Sequence, residues 1–218
     1  MAGTVFAILL VATLVMLTLA RLTAERLIRH HHGQKKDFFH HHPIQHGDIV
    51  FLGDSLTDGA RWDELLPGLP TKNRGINADT TRGVLARMDE ILAGRPAAIF
   101  LLIGTNDLPF FAYRSDRSIL MTYEEILQRC KQDSPNTRIF VQSLFPRQRR
   151  FARRICRLNE RLIALAGKHA CVYVDIYTRL TTPQGTLQPE LTNDGLHLLA
   201  EGYRRWVDAI SEYVPKTK

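Results

Sequence analysis

The chain has 218 residues, 44% of them hydrophobic and 23% charged, and a net charge of +7. These values sit near globular averages, so a disordered or low-complexity protein is excluded, and the length fits one domain behind an N-terminal segment, without a second catalytic domain. No internal repeat is present, and three cysteines, Cys130, Cys156 and Cys171, lack the C-x-x-C spacing of a zinc site or disulfide framework and read as buried thiols.

The first element is Ala2 to Ala20, nineteen residues without a charge. As a helix it would reach about 28 Å, roughly one hydrocarbon core, and its apolar character runs all round instead of forming one stripe. No Lys or Arg precedes it and "LARLTAERL" is a poor cleavage site, so a retained transmembrane anchor is expected over a signal peptide. Arg21, Arg26, Arg29, Lys35 and Lys36 follow the span, which favours a cytoplasmic position for the rest of the chain, with the extracytoplasmic orientation as the alternative. Residues 1–29 are therefore assigned to the anchor and its flank. Residues 30–46, with seven of the nine histidines, are a polar connector, and residues 47–218 are the folded domain. His30 to His32 and His40 to His42 could ligate a metal, but adjacent histidines in a linker make an unshaped site, and no metal is assigned.

From Gly47 onward short apolar runs alternate with helical periods. "DIVFLG", "TKNRGI", "AAIFLLIG", "RIFVQSLF" and "CVYVDIY" read as buried strands. Between and after them lie helical candidates at Trp62 to Leu66, Thr81 to Ala93, Tyr123 to Gln132, Arg149 to Gly167 and Ala200 to Val214. Strands alternating with helices imply parallel pairing and a sheet covered on both faces: a three-layer α/β/α domain with five parallel strands. The stretch from Arg147 to Arg161 is rich in arginine, but Phe151, Ile155, Leu158, Leu162 and Leu165 recur at helical spacing, so the arginines line the outer face of an amphipathic helix. A solvated face or contact with anionic lipid headgroups is the reading here, and no nucleic-acid partner is assigned.

In open parallel sheets the reactive crevice lies beyond the C-terminal strand ends, and the polar clusters of this sequence fall there. "GDSLTDG" follows the first strand, "RGINADTTRG" the second, "GTNDL" the third and "FPRQ" the fourth. A serine hydroxyl needs a base to take its proton, and the base needs a third group to hold its tautomer. His169 precedes the fifth strand, at the wrong end; His197 follows it, with Asp194 three residues earlier. Ser55, His197 and Asp194 thus form a candidate triad. Alone, His197 would read as a satisfied core histidine. Donors for a developing oxyanion are available at the Ser55 N–H, the Gly75 N–H and the Asn106 side-chain amide. Taken singly, Gly75 reads as a turn glycine and Asn106 as a capping residue.

"GDSL" (Gly53 to Leu56), the glycine of "NRGI" (Gly75), "GTND" (Gly104 to Asp107) and "DGLH" (Asp194 to His197) resemble, in order and approximate spacing, the four blocks of the GDSL, or SGNH, hydrolases. The similarity spans Asp48 to about Trp206 and is strongest to the lysophospholipase and platelet-activating-factor acetylhydrolase-like branch. It implies a flavodoxin-like sheet, Ser55 as nucleophile, His197 as base and then acid, Asp194 as its orienter, Gly75 with Asn106 in the oxyanion hole, and no cofactor. Asp54 and Asp58 are then structural, capping the turn. "INAD" (Ile76 to Asp79) departs from relatives that often carry two glycines before the aspartate.

The expected partner is a small-molecule or lipid ester, with Phe110, Phe111 and Tyr113 either lining an acyl pocket or packing their loop onto the body. Two other readings stand beside a lipid-directed esterase: a carbohydrate O-deacetylase with a polar cleft, and a membrane-anchored binding protein that keeps the fold without turnover.

Overall fold

Four short runs rich in branched and aromatic residues, and one polar run, "TKNRG", form the strands of one sheet. A computed structural model describes residues 2–109 and 113–214 of the chain. The elements run in the order α1 (Ala2–His41), β1 (Ile49–Gly53), α2 (Ser55–Asp58), α3 (Trp62–Leu65), β2 (Thr71–Gly75), α4 (Thr81–Leu85), α5 (Met88–Ala93), β3 (Ala98–Leu102), α6 (Asp116–Asp133), β4 (Arg138–Gln142), α7 (Arg149–Lys168), β5 (Val172–Val174), α8 (Tyr177–Leu180) and α9 (Ala200–Ile210). The chain divides into two units, residues 1–41 and 42–218.

The first unit is the single helix α1. It is long and apolar enough to cross a membrane by length and composition. Thr13 and Thr18 turn their hydroxyls back onto the carbonyls of Leu9 and Leu14, both at 2.8 Å, which satisfies the polar atoms of an otherwise apolar surface. The helix runs on through His41, so residues 30–41, expected as a connector, are helical. Local pairs support that extension: the His41 ring bonds the Asp37 carbonyl at 2.9 Å and Lys35 Nζ lies 5.9 Å from the Phe39 ring centre.

In the second unit the strands pair in the order β2-β1-β3-β4-β5, all parallel. Alternation along each strand splits the core in two. Val50, Leu52, Ile99 and Leu101 face α4 to α7 through Val84, Met88, Ile126 and Ile155. Ile49, Phe51 and Phe100 face the other way, toward Trp62, Leu180 and Trp206. Phe51, Phe100 and Phe140 stack across three neighbouring strands, with centroids 5.0 and 4.5 Å apart. Trp206, fully buried, satisfies its indole N–H on Gln142 Oε1 at 2.6 Å.

Two helices differ from the periodicity. Thr81 to Ala93 was expected as one helix, but the chain breaks between α4 and α5 at Arg87, whose backbone leaves the helical region (φ −120°, ψ 15°). The cause is tertiary. Arg87 turns inward, its Nε 3.0 Å from Asp79 and its Nη2 3.1 Å from the Gly53 carbonyl, both fully enclosed. In α6 the helix begins at Asp116, seven residues before the apolar period, because Ser115 caps it by accepting the Ser118 N–H at 3.2 Å.

Candidate active site

The site grows from the end of β1. Gly53 leaves the strand where a Cβ would lie 2.3 Å from the Leu102 carbonyl oxygen and 2.3 Å from Thr57 Oγ1, so only glycine passes. Asp54 then caps α2, accepting the Leu56 N–H at 3.0 Å, and Ser55 becomes the first residue of that short helix. Ser55 is half-buried there.

The histidine arrives from 142 residues away, and Ser55 Oγ lies 3.0 Å from His197 Nε2. On the far side of the ring, Nδ1 is 2.6 Å from Asp194 Oδ2. The turn holding this pair is self-supporting. Asp194 Oδ1 accepts the N–H groups of Leu196 and His197, each at 2.8 Å, and Gly195 supplies the left-handed residue (φ +74°) the reversal needs. Partial desolvation pushes the Asp194 carboxyl up, but the His197 ring and the two backbone donors overcome it and hold the carboxyl well below the usual range. An ionised Asp194 favours the tautomer of His197 with its proton on Nδ1, in which Nε2 is able to accept from the serine hydroxyl. The pair is open to water: the His197 side chain is 44% exposed and that of Asp194 47%.

Of the three expected oxyanion donors, two keep an N–H hydrogen without a partner among the described residues. The Ser55 N–H is the first amide of α2 and has no intrahelical acceptor. Asn106 sits in a single helical turn at the exit of β3, half-buried, and spends one amide hydrogen on the Asp79 carbonyl at 2.9 Å, keeping the other. Gly75 differs. Its N–H donates to Asn73 Oδ1 at 2.9 Å, so that donor is consumed inside the strand exit. The glycine is required for another reason, since a Cβ there would meet the Asp58 backbone nitrogen at 2.2 Å. Gly75→Ala is expected to destabilise the fold by about 1–3 kcal/mol through overpacking, read as a lower urea midpoint at unchanged slope.

The residue the sequence did not single out is Ala78. It holds φ +62°, a conformation costly for a residue with a Cβ, and its N–H has no hydrogen-bond partner among the described residues. It precedes Asp79, the residue whose carbonyl holds the Asn106 amide. The signal was present in "INAD": relatives with glycine there match a backbone that needs positive φ.

Two buried cations tie these loops together. Arg87 joins Asp79 to the Gly53 carbonyl, so the loop carrying Ala78 and the turn carrying Ser55 share one clamp. Arg147, only 6% exposed, bonds the Thr105 carbonyl and hydroxyl, both at 3.1 Å, beside Asn106. Its Nε also holds the Gln148 side chain, which lies against Gly195 in the histidine turn. Burial holds the Arg147 guanidinium below its ordinary value and Arg150 adds to this, while the carboxylates of Asp54 and Asp194 oppose it.

Asp54 itself is enclosed. Burial pushes its carboxyl up to about 7, opposed by the Leu56 N–H and reinforced by Asp79 and Asp107, and its Oδ2 has no hydrogen-bond partner among the described residues. Phe110 and Phe111 lie outside the described residues. Tyr113 is 63% exposed and lies under the Arg154 guanidinium, 4.6 Å from its ring centre, so its described contact is with a cation and not an apolar wall. The groove of about 590 Å³ between α6 and α7 contains none of the triad, so the site is recognised by its hydrogen bonds, not its concavity. Among the described residues no three His, Cys, Asp or Glu side chains converge as a metal site.

A parallel α/β/α sheet whose first strand delivers a serine onto an imidazole–carboxylate pair puts the protein among the ester hydrolases. Residues 51–205 match the GDSL-like Lipase/Acylhydrolase family, and the chain belongs to it. It is 30% identical over 166 residues to the alpha1 subunit of platelet-activating factor acetylhydrolase IB from Bos taurus, a match covering 72% of this chain and 70% of that protein. A solved structure from Streptococcus pneumonia, described as a platelet activating factor, superposes with a TM-score of 0.80 at 28% identity, covering 90% of this chain and 98% of that one. An acetylxylan esterase from Geobacillus stearothermophilus shares the fold at a TM-score of 0.62 and 20% identity, over 79% and 96% of the two chains.

Proposed function

We propose that this protein is a membrane-anchored serine esterase that cleaves carboxylic esters of amphiphilic, lipid-derived molecules, lysophospholipids or short-to-medium acyl esters, through an acyl-enzyme. One observation carries the reading: the unbroken chain of hydrogen bonds from Ser55 Oγ through both nitrogens of His197 to Asp194, at 3.0 and 2.6 Å. In the first half-reaction Ser55 Oγ attacks the ester carbonyl as His197 Nε2 takes its proton, and the imidazolium so formed is stabilised by Asp194. The tetrahedral oxyanion is met by the N–H of Ser55, the second amide hydrogen of Asn106 and, in place of Gly75, the N–H of Ala78. His197 returns its proton to the leaving alcohol. A water deprotonated by the same nitrogen then releases the acid.

The bovine relative is, by name, an acetylhydrolase, and an open triad suits a small acyl group on a larger alcohol better than a deep acyl tunnel. We place α1 across the bilayer with the catalytic unit on the side of the positive charges that follow the span, the cytoplasmic side. That same openness favours one alternative, O-deacetylation of a glycan. Covalent labelling of the full chain with a fluorophosphonate tests the mechanism: the adduct is expected on Ser55, and its absence from a folded protein would refute the nucleophile. An acyl-chain series on glycerophosphocholine and on acetylated sugar separates the substrates. Activity confined to sugar acetate would favour the deacetylase.

A further inference from the structure

Charge is not spread evenly over the second unit. Residues 42–218 carry a net +4, whereas α7 alone holds seven basic residues against one acidic, a net +6, so the remainder is slightly acidic. The basic groups share a face. Phe151, Ile155, Leu158 and Leu162 are buried against the sheet, while Arg149, Arg150, Arg153, Arg157, Arg161 and Lys168 are exposed.

The protein neutralises only part of this face. Asp116 holds Arg154 and Arg157, and Glu124 holds Lys168. Arg149, Arg150, Arg153 and Arg161 have no acidic partner within ion-pair distance among the described residues. On α9 the surface arginines are handled differently: Arg204 pairs with Glu201 and Asp208, and Arg205 with Glu201 and Glu190. Helix stability does not account for the contrast. Arg149 and Arg150 open α7 with no acidic residue in its first turn and no side-chain cap, where cations oppose the helix dipole. Apolar side chains flank the same surface, with Ile163 52% exposed and Met121 of α6 59% exposed beside the groove floored by Leu120 and Leu165.

We propose that this face of α7 docks on a bilayer of anionic lipids, its unpaired arginines meeting headgroup phosphates and its flanking apolar groups entering the headgroup boundary. The flanking apolar groups, and a helix in the same chain apolar enough to cross a membrane, favour a lipid surface over a nucleic acid. Because α7 begins beside Gln148 and the histidine turn, the docked face would bring the crevice to esters held in the interface. The proposal does not rest on the serine reading, since the face binds lipid whether or not Ser55 reacts.

The test uses the full chain with Cys171→Ser, carrying a polarity-sensitive fluorophore on the exposed Cys156, which lies on this face; Cys130 is buried. It is placed in nanodiscs of phosphatidylcholine alone or doped with phosphatidylglycerol. A blue shift is expected only with phosphatidylglycerol, lost at high salt. Arg149→Gln, Arg153→Gln and Arg161→Gln together should abolish it, while soluble short-ester hydrolysis stays unchanged as the check on folding. Arg26→Gln with Arg29→Gln, beside the apolar span, should leave it intact. In unlabelled protein the apparent KM for a disc-embedded ester should fall with phosphatidylglycerol and lose that dependence in the triple variant. Equal emission in both discs, a response surviving the triple variant, loss on changing Arg26 and Arg29 instead, or a response to a DNA duplex and not to lipid would each overturn the proposal.

Discussion

Ser55→Ala is expected to lower kcat/KM for a short-chain ester by about 10⁴- to 10⁶-fold without changing the unfolding midpoint. The size follows from what is removed. No other described hydroxyl lies on Nε2 of His197, so the variant keeps only the oxyanion donors and the binding surface. The fold does not depend on that oxygen, because Ser55 is half-buried and its one side-chain hydrogen bond among the described residues is to the imidazole. A stronger form of the test is non-additivity. His197→Ala should fall to the same floor, and the double variant no further, since nucleophile and base act as one device. Asp194→Asn is expected to cost about 10⁴-fold by letting the ring adopt the other tautomer. If the Ser55 and His197 losses instead multiply in the double variant, the two groups act separately and the relay is wrong.

Much of this arrangement was legible in the sequence, for identifiable reasons. Strand cores such as "VFL" and "IFLL" are buried on both faces and read as continuous apolar runs, so these strands followed from pattern alone, while β2, "TKNRG", carries little apolar signal. The Asp194–His197 pair was legible because its geometry is local, set by a three-residue spacing and one glycine. What escaped depends on contacts remote in sequence. The break at Arg87 is imposed by Asp79 and the Gly53 carbonyl, neither of which alters the helical period around it. Arg147 stands in the sequence at the head of a basic run and within "FPRQ" at a strand end, and neither pattern shows that it is buried and grips Thr105 from 42 residues away. Gly75 and Ala78 show a third limit. Residue type suggested a donor at the glycine, whereas the backbone torsion that frees an N–H belongs to the alanine three positions on.

Asp54→Asn is expected to change the pH dependence of stability more than any other single substitution at this site. In the unfolded chain the carboxyl titrates at its ordinary value of 3.8; folded, burial raises it to about 7. Below the lower value both states are protonated and Asp54 contributes no pH dependence. Between the two the folded protein retains a proton that the unfolded chain has lost, so stability falls as pH rises, and it levels off above about 7. Three pH units at about 1.4 kcal/mol each give a loss of about 4 kcal/mol, an order-of-magnitude figure. Asparagine keeps an oxygen for the Leu56 N–H and carries no charge, so the variant should match wild type near pH 4 and exceed it near pH 8, measured by urea unfolding in detergent. Parallel curves would remove Asp54 as the source. The location gives the titration a second consequence. A carboxylate forming beside Ser55 places negative charge next to the position where an oxyanion must develop, so a rise in pH through 7 weakens the turn and opposes the chemistry together. The asparagine variant should therefore also lose the alkaline decline in kcat, while one that gained stability but kept that decline would assign the decline to another group.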